Sequence, residues 1–122
     1  MNSDESGKLY ADEELQCLLS NIGDKWTALI IGLLGEDSKR FGVLKRELEG
    51  ISQKMLTQTL REMERNGIVQ RTVFAQVPPR VEYALTPLGR TLCEPLYALR
   101  QWTLEHRKEV LSARKKYDAK KS

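Results

Sequence analysis

Gln53, Lys54, Thr57, Gln58, Arg61 and Arg65 recur at intervals of one, three, one, three and four residues. On an α-helix those intervals place all six on one side. The side-chain amides of Gln53 and Gln58 can pair bidentately with adenine. Lys54, Arg61 and Arg65 can meet guanine edges or phosphates, and Thr57 can bond a base or touch a thymine methyl. This side is almost free of carboxylates until Glu62 and Glu64. Ser52, just before it, has the chemistry to cap the helix. Arg80 follows Pro78-Pro79, and Arg71 lies on the preceding segment. From a hairpin, such arginines can reach a minor groove or the phosphates beside it. Ser52, Gln53, Lys54, Thr57, Gln58, Arg61, Arg65, Arg71 and Arg80 are therefore the expected double-stranded-DNA contacts. The competing account is a solvated polar face and a structural hairpin.

These residues need a helix and a two-stranded ribbon to position them. Leu56, Leu60 and Met63 give the fourth helix a buried face opposite its polar side, and Asn66-Gly67 stops it. Ile68 to Val77 has strand composition. Val81, Tyr83 and Leu85 alternate with Arg80, Glu82 and Ala84, the period of a half-buried strand. Pro78-Pro79 removes two backbone donors at the tip. Three helices are expected upstream. The first spans Asp12–Ile22, with Leu15, Leu18, Leu19 and Ile22 as its stripe. Asp24 caps the second, whose face is read as Trp26, Leu29, Ile30, Leu33 and Leu34. After a turn from Gly35 to Lys39, a short third helix carries Phe41, Leu44 and Leu48. Thr86-Pro87 opens the last helix, with Leu88, Leu92, Leu96, Leu99 and Trp102 at helical spacing. Pro95 is expected to kink or interrupt it, and the pattern fades beyond Leu111.

The expected fold is mainly α with a small β-hairpin wing. Its order is α-α-α-α-β-β-α, a winged helix-turn-helix with an added helix at each end. With 122 residues, one domain is the default. Residues 1–10 are expected to be a disordered tail, 11–112 the folded domain and 113–122 a basic C-terminal tail.

The net charge of +3 is unevenly spread. Residues 1–38 carry two basic and eight acidic groups, net −6. Residues 39–80 carry nine and four, net +5, and residues 81–122 carry nine and five, net +4. A positive patch that coincides with a reader-shaped element favours a polyanion. The longest apolar stretch, Trp26 to Gly35, is too short to span a membrane, and the N-terminus is acidic and polar. A cytoplasmic protein with no membrane contact is expected. Cys17, Cys93 and His106 form no Cys-x-x-Cys pair or zinc set, so neither metal nor cofactor is expected. An enzyme would need paired catalytic groups or a glycine-rich phosphate loop, and neither motif is present. A winged helix that binds only protein is the other rival, and a salt titration of duplex affinity separates the two.

Residues 17–102 resemble the HxlR-type branch of winged helix transcription regulators, relatives of the MarR-like repressors. The resemblance runs through Cys17, Gly23-Asp24-Lys25-Trp26-Thr27 and Arg40-Phe41. It continues through Gly50-Ile51-Ser52-Gln53-Lys54-Met55-Leu56-Thr57 and Leu60-Arg61-Glu62-Met63-Glu64. It ends on Val77-Pro78-Pro79-Arg80-Val81-Glu82-Tyr83-Ala84-Leu85-Thr86. It implies a homodimeric, cytosolic, bacterial-type DNA-binding regulator whose fourth helix reads a roughly palindromic operator. It also implies that the first and last helices form the dimer interface.

Leu15, Leu18 and Leu19 on the first helix and Leu92, Leu96, Leu99 and Trp102 on the last offer more apolar surface than a small winged core needs. The alternative is a monomer whose terminal helices fold onto its own core. Cys17 falls where the family carries its characteristic cysteine, which some relatives use to sense oxidants or electrophiles. Control by thiol modification or by a small ligand fits the resemblance, and packing of a small apolar residue is the equal alternative for Cys17.

Overall fold

The computed structural model describes residues 12–121. Its elements are α1 (Glu13–Ile22), α2 (Lys25–Leu34), β1 (Lys39–Arg40), α3 (Phe41–Glu47), α4 (Gln53–Arg65), β2 (Val69–Phe74), β3 (Arg80–Leu85), α5 (Pro87–Arg90) and α6 (Cys93–Lys121). The expected tail at residues 1–10 lies outside the described residues. Among the described residues no single helix is long and apolar enough to cross a membrane.

Local chemistry starts four of the helices. Asp12 Oδ1 accepts from Leu15 N at 3.1 Å, and Asp24 Oδ1 accepts from Trp26 N at 2.8 Å. Ser52 Oγ accepts from Met55 N at 3.0 Å, and Thr86 Oγ1 accepts from Gly89 N at 2.9 Å. Each bond satisfies an amide that the first turn leaves without an intrahelical partner.

The core joins α2, α3, α4 and the base of the sheet. Leu56, Leu60 and Met63 are all buried, as their spacing predicts. They meet Ile30, Leu34 and Leu44, while Ile68, Val69 and Leu85 close the sheet side. The buried face of α2 differs from the expected one. Thr27, Ile30, Ile31 and Leu34 face inward, while Leu29 is exposed. In a helix that is apolar almost all round, spacing does not decide which stripe meets the core.

The sheet is antiparallel in the order β1-β3-β2. The hairpin register pairs Val69 with Leu85, Arg71 with Tyr83 and Phe74 with Arg80. β1 was not expected. Lys39 pairs with Tyr83 and Arg40 with Glu82. A two-residue strand has no periodicity, so only the free edge of β3 defines it.

The last helix departs from expectation in two places. The break falls at Thr91-Leu92, between α5 and α6, rather than at Pro95. Pro95 is the third residue of α6, where a backbone donor has no intrahelical partner to lose, and the helix continues past it. At its other end α6 runs through Lys121 instead of fading after Leu111. Alanine, arginine and lysine favour helix there, and Lys120 and Lys121 sit at its negative end. The 29-residue helix is about 43 Å long and buries none of its own residues in the protomer. His106 stacks on Trp102 with ring centroids 4.7 Å apart, and its Nδ1–H donates to the Trp102 carbonyl at 2.9 Å.

Candidate nucleic-acid interface

The segment from α3 through the turn at Glu49-Gly50 to α4 is a helix-turn-helix, and Gly50 takes φ 88° in that turn. Ser52 begins α4 and the Asn66-Gly67 turn ends it. Gly67, at φ 74°, donates to Glu64 O at 3.0 Å, and Ile68 N donates to Met63 O at 2.9 Å. Burial of Leu56, Leu60 and Met63 leaves the other side of the helix outermost. There Ser52, Gln53, Lys54, Gln58, Arg61 and Arg65 are exposed, and Thr57 is half-buried. Gln53, Lys54, Thr57, Gln58, Arg61 and Glu62 line one open concavity. The six helix residues singled out from the sequence therefore share one solvent-facing side.

The hairpin is tied to this helix. Arg71, exposed on β2, places Nε 3.8 Å from Glu64 Oε1 on α4. The structure draws Arg80 back from the tip instead of extending it. Its Nε is buried and lies 2.9 Å from Glu82 Oε2, and its guanidinium carbon sits 4.1 Å above the Phe74 ring. Two features of the sheet cause this. Arg80 and Glu82 are two apart on one strand and so share a face, and Phe74 is directly opposite Arg80 in the register.

Tyr83 belongs with this group and was not singled out from the sequence. It is half-buried between β1 and β2, with Arg71 as its cross-strand partner. Burial pushes its hydroxyl pKa up. Arg71 opposes that rise, Glu64 adds to it and Arg61 opposes it, so Tyr83 feels both the polar side of α4 and the wing. Only the strand register could have revealed it.

The expected interface residues fall into two sets. Leu18 and Leu19 on α1 and Leu99 and Trp102 on α6 are exposed. Leu15 is half-buried. Leu92 and Leu96 instead pack in part against the protomer's own core, as does Cys93. They stand at the base of α6, where it leaves α5 beside the core. Cys17 is exposed on α1.

A family model described as HxlR-like helix-turn-helix matches residues 21–110. The chain belongs to the HxlR-like helix-turn-helix family. Its HxlR region contains the helix-turn-helix, the wing and most of α6. The HTH-type transcriptional regulator YtfH of Escherichia coli (strain K12) is 39% identical over 112 residues, covering 88% of this chain and 86% of its own. Among solved structures, the putative transcriptional regulator ytfH from Salmonella typhimurium aligns with a TM-score of 0.75 at 36% identity. That alignment covers 82% of this chain and 89% of the other. The redox regulator HypR in its reduced form aligns with a TM-score of 0.75 at 39% identity, over 82% of this chain and 99% of its own. This HxlR-family chain is a transcriptional regulator of helix-turn-helix type with a winged helix fold.

Proposed function

We propose that this HxlR-family regulator is a cytoplasmic, sequence-specific reader of double-stranded DNA that binds a roughly palindromic operator as a homodimer. The observation that carries this reading is the open side of α4. It holds two glutamines, a lysine and an arginine together in solvent, beside a basic hairpin. The α4 helix enters the major groove and Ser52 at its start approaches a phosphate. Arg65, Arg71 and Arg80 serve the backbone. Leu15, Leu18, Leu19, Leu99 and Trp102 form the dimer surface, with Leu92 and Leu96 supporting α6 from the core. Exposed leucine and tryptophan on helices at both ends of so small a domain support a second copy as the partner.

Selection of bound duplexes from a random pool tests this reading. The expected product is an inverted repeat whose half-sites lie about one helical turn, ~34 Å, apart, with affinity that falls steeply as salt rises. A single unrepeated site, or affinity indifferent to salt, rejects it.

Control by the thiol of Cys17 is part of the proposal. It is supported by the exposure of Cys17 on a proposed interface helix and by the likeness to a redox regulator. A thiol-reactive electrophile is expected to change operator affinity by tenfold or more (about 1.4 kcal/mol) in the wild type and to leave Cys17→Ser unaffected. Mass spectrometry must confirm the modification. Unchanged wild-type affinity after confirmed modification removes the thiol role and points to a small ligand as the effector.

A further inference from the structure

Lys54 and Arg61, on the open side of α4, carry no ion pair among the described residues, whereas three other cations of the proposed interface do. Arg65 Nη1 lies 3.1 Å from Glu62 Oε1, Arg71 Nε 3.8 Å from Glu64 Oε1, and Arg80 Nε 2.9 Å from Glu82 Oε2. The three carboxylates are placed in three different ways. One is three residues away on the same helix, one reaches from α4 to β2, and one lies two residues along β3. Each arginine has its own partner.

Exposed pairs of this kind contribute little to stability. The Arg65 side chain is 78% exposed and those of Arg71 and Glu64 are both near 45%. Holding the fold together therefore does not account for the Arg65 and Arg71 pairs, while the Arg80–Glu82 pair is half-buried. Their larger effect is on an approaching polyanion. A carboxylate beside a guanidinium cancels most of its field beyond a few ångströms. In the Arg65 pair it also accepts from the Nη1–H that a phosphate oxygen would take. Phosphates are spaced alike in every duplex, so unpaired arginines reward any sequence equally. Discrimination requires a term that disfavours the wrong partner as well as one that favours the right one.

We propose that Glu62, Glu64 and Glu82 are specificity-determining residues that hold Arg65, Arg71 and Arg80 off the backbone of unmatched DNA. The inference rests on the duplex-reading function proposed for α4. Where Gln53, Thr57, Gln58 and Arg61 meet matching base edges, the helix stays seated and each arginine exchanges its carboxylate for a phosphate. On unmatched duplex the helix is not held, the exchange does not complete and the arginines stay neutralised. Glu82 is the most firmly placed of the three, because its Oε1 also accepts the Ser38 hydroxyl at 2.8 Å. Glu62 is half-buried and Glu64 exposed, and neither belongs to the core, so exchange for the isosteric glutamine leaves the core packing in place.

The test is a double-mutant cycle in the full chain, comparing E62Q/E64Q, R65A/R71A and the four-fold variant. Affinity is measured on a random-sequence duplex and on the duplex the wild type selects, from 50 to 200 mM salt. E62Q/E64Q is expected to bind random duplex about tenfold more tightly at low salt. Its log–log salt slope steepens by about 0.9 per freed cation, and its preference for the selected duplex falls. In the R65A/R71A background the same two Glu→Gln changes are expected to alter affinity less than twofold. A tenfold improvement that persists without the arginines would assign the effect to net charge and overturn the proposal. Random-duplex affinity unchanged by E62Q/E64Q, with the wild type binding normally, overturns it as well. A wild-type chain that binds neither duplex refutes the DNA-reading function itself, a result distinct from the other two.

Discussion

Arg61→Ala and Gln53→Ala are each expected to weaken binding to the selected operator by about 1–3 kcal/mol, while random-duplex affinity changes far less. Both side chains are exposed on the open side of α4 and neither has an ion-pair partner among the described residues. Removing either therefore leaves no unpaired charge inside the protein, and the whole loss falls on the DNA contact. The two positions are about 12 Å apart along the helix axis, far enough for independent base contacts. Their losses should then add, to roughly 2–6 kcal/mol in the double variant. Fluorescence anisotropy on labelled duplexes measures both quantities. Equal losses on selected and random duplex would reassign the residue concerned from base edges to phosphates.

Gly89→Ala is expected to cost about 3 kcal/mol or more of folding stability. A Cβ at Gly89 would stand 2.1 Å from Ile68 O and 3.1 Å from Ile68 C, both backbone atoms. Ile68 O already accepts from Thr86 N at 3.0 Å and from Thr86 Oγ1 at 3.2 Å, and Thr86 also caps α5. Relief of the clash must push α5 off the base of the hairpin and break those bonds together. Gly32→Ala is the matched control. Gly32 lies within α2 with nothing within 4 Å of a new Cβ. It should be neutral or stabilising by about 0.5–1 kcal/mol, the helix-propensity difference between the two residues. Urea denaturation reads both. A Gly89→Ala midpoint equal to that of the wild type would show that the approach of α5 to Ile68 carries no weight.

Both expectations bear on how far the chain could be understood before its fold was known. The polar side of α4 was legible because it is a local property. Ser52 fixes where the helix begins, Leu56, Leu60 and Met63 fix which side turns inward, and the opposite side then carries Gln53, Gln58 and Arg61 to solvent. The hairpin was legible from its alternation and its proline tip. The direction of Arg80 was not, because Phe74 faces it only through the strand register. Tyr83 was missed for the same reason, since its neighbours Arg71, Glu64 and Arg61 come from two other elements. Leu92 and Leu96 looked like interface residues because helical spacing shows a stripe without showing what covers it.

The sequence by itself determined the helix caps, the solvent-facing polar side of α4 and the family to which the chain belongs. Those features depend on residues within a turn or two of one another, where spacing and side-chain chemistry are enough. The tertiary structure decided the inward face of α2, the existence of β1, the retraction of Arg80 and the pairing of each wing or helix arginine with its glutamate. These depend on contacts between residues distant along the chain, or on which of several equivalent apolar or charged neighbours the packing brings close. Local pattern does not carry that information, because many packings satisfy the same pattern and only burial of one shared core selects among them.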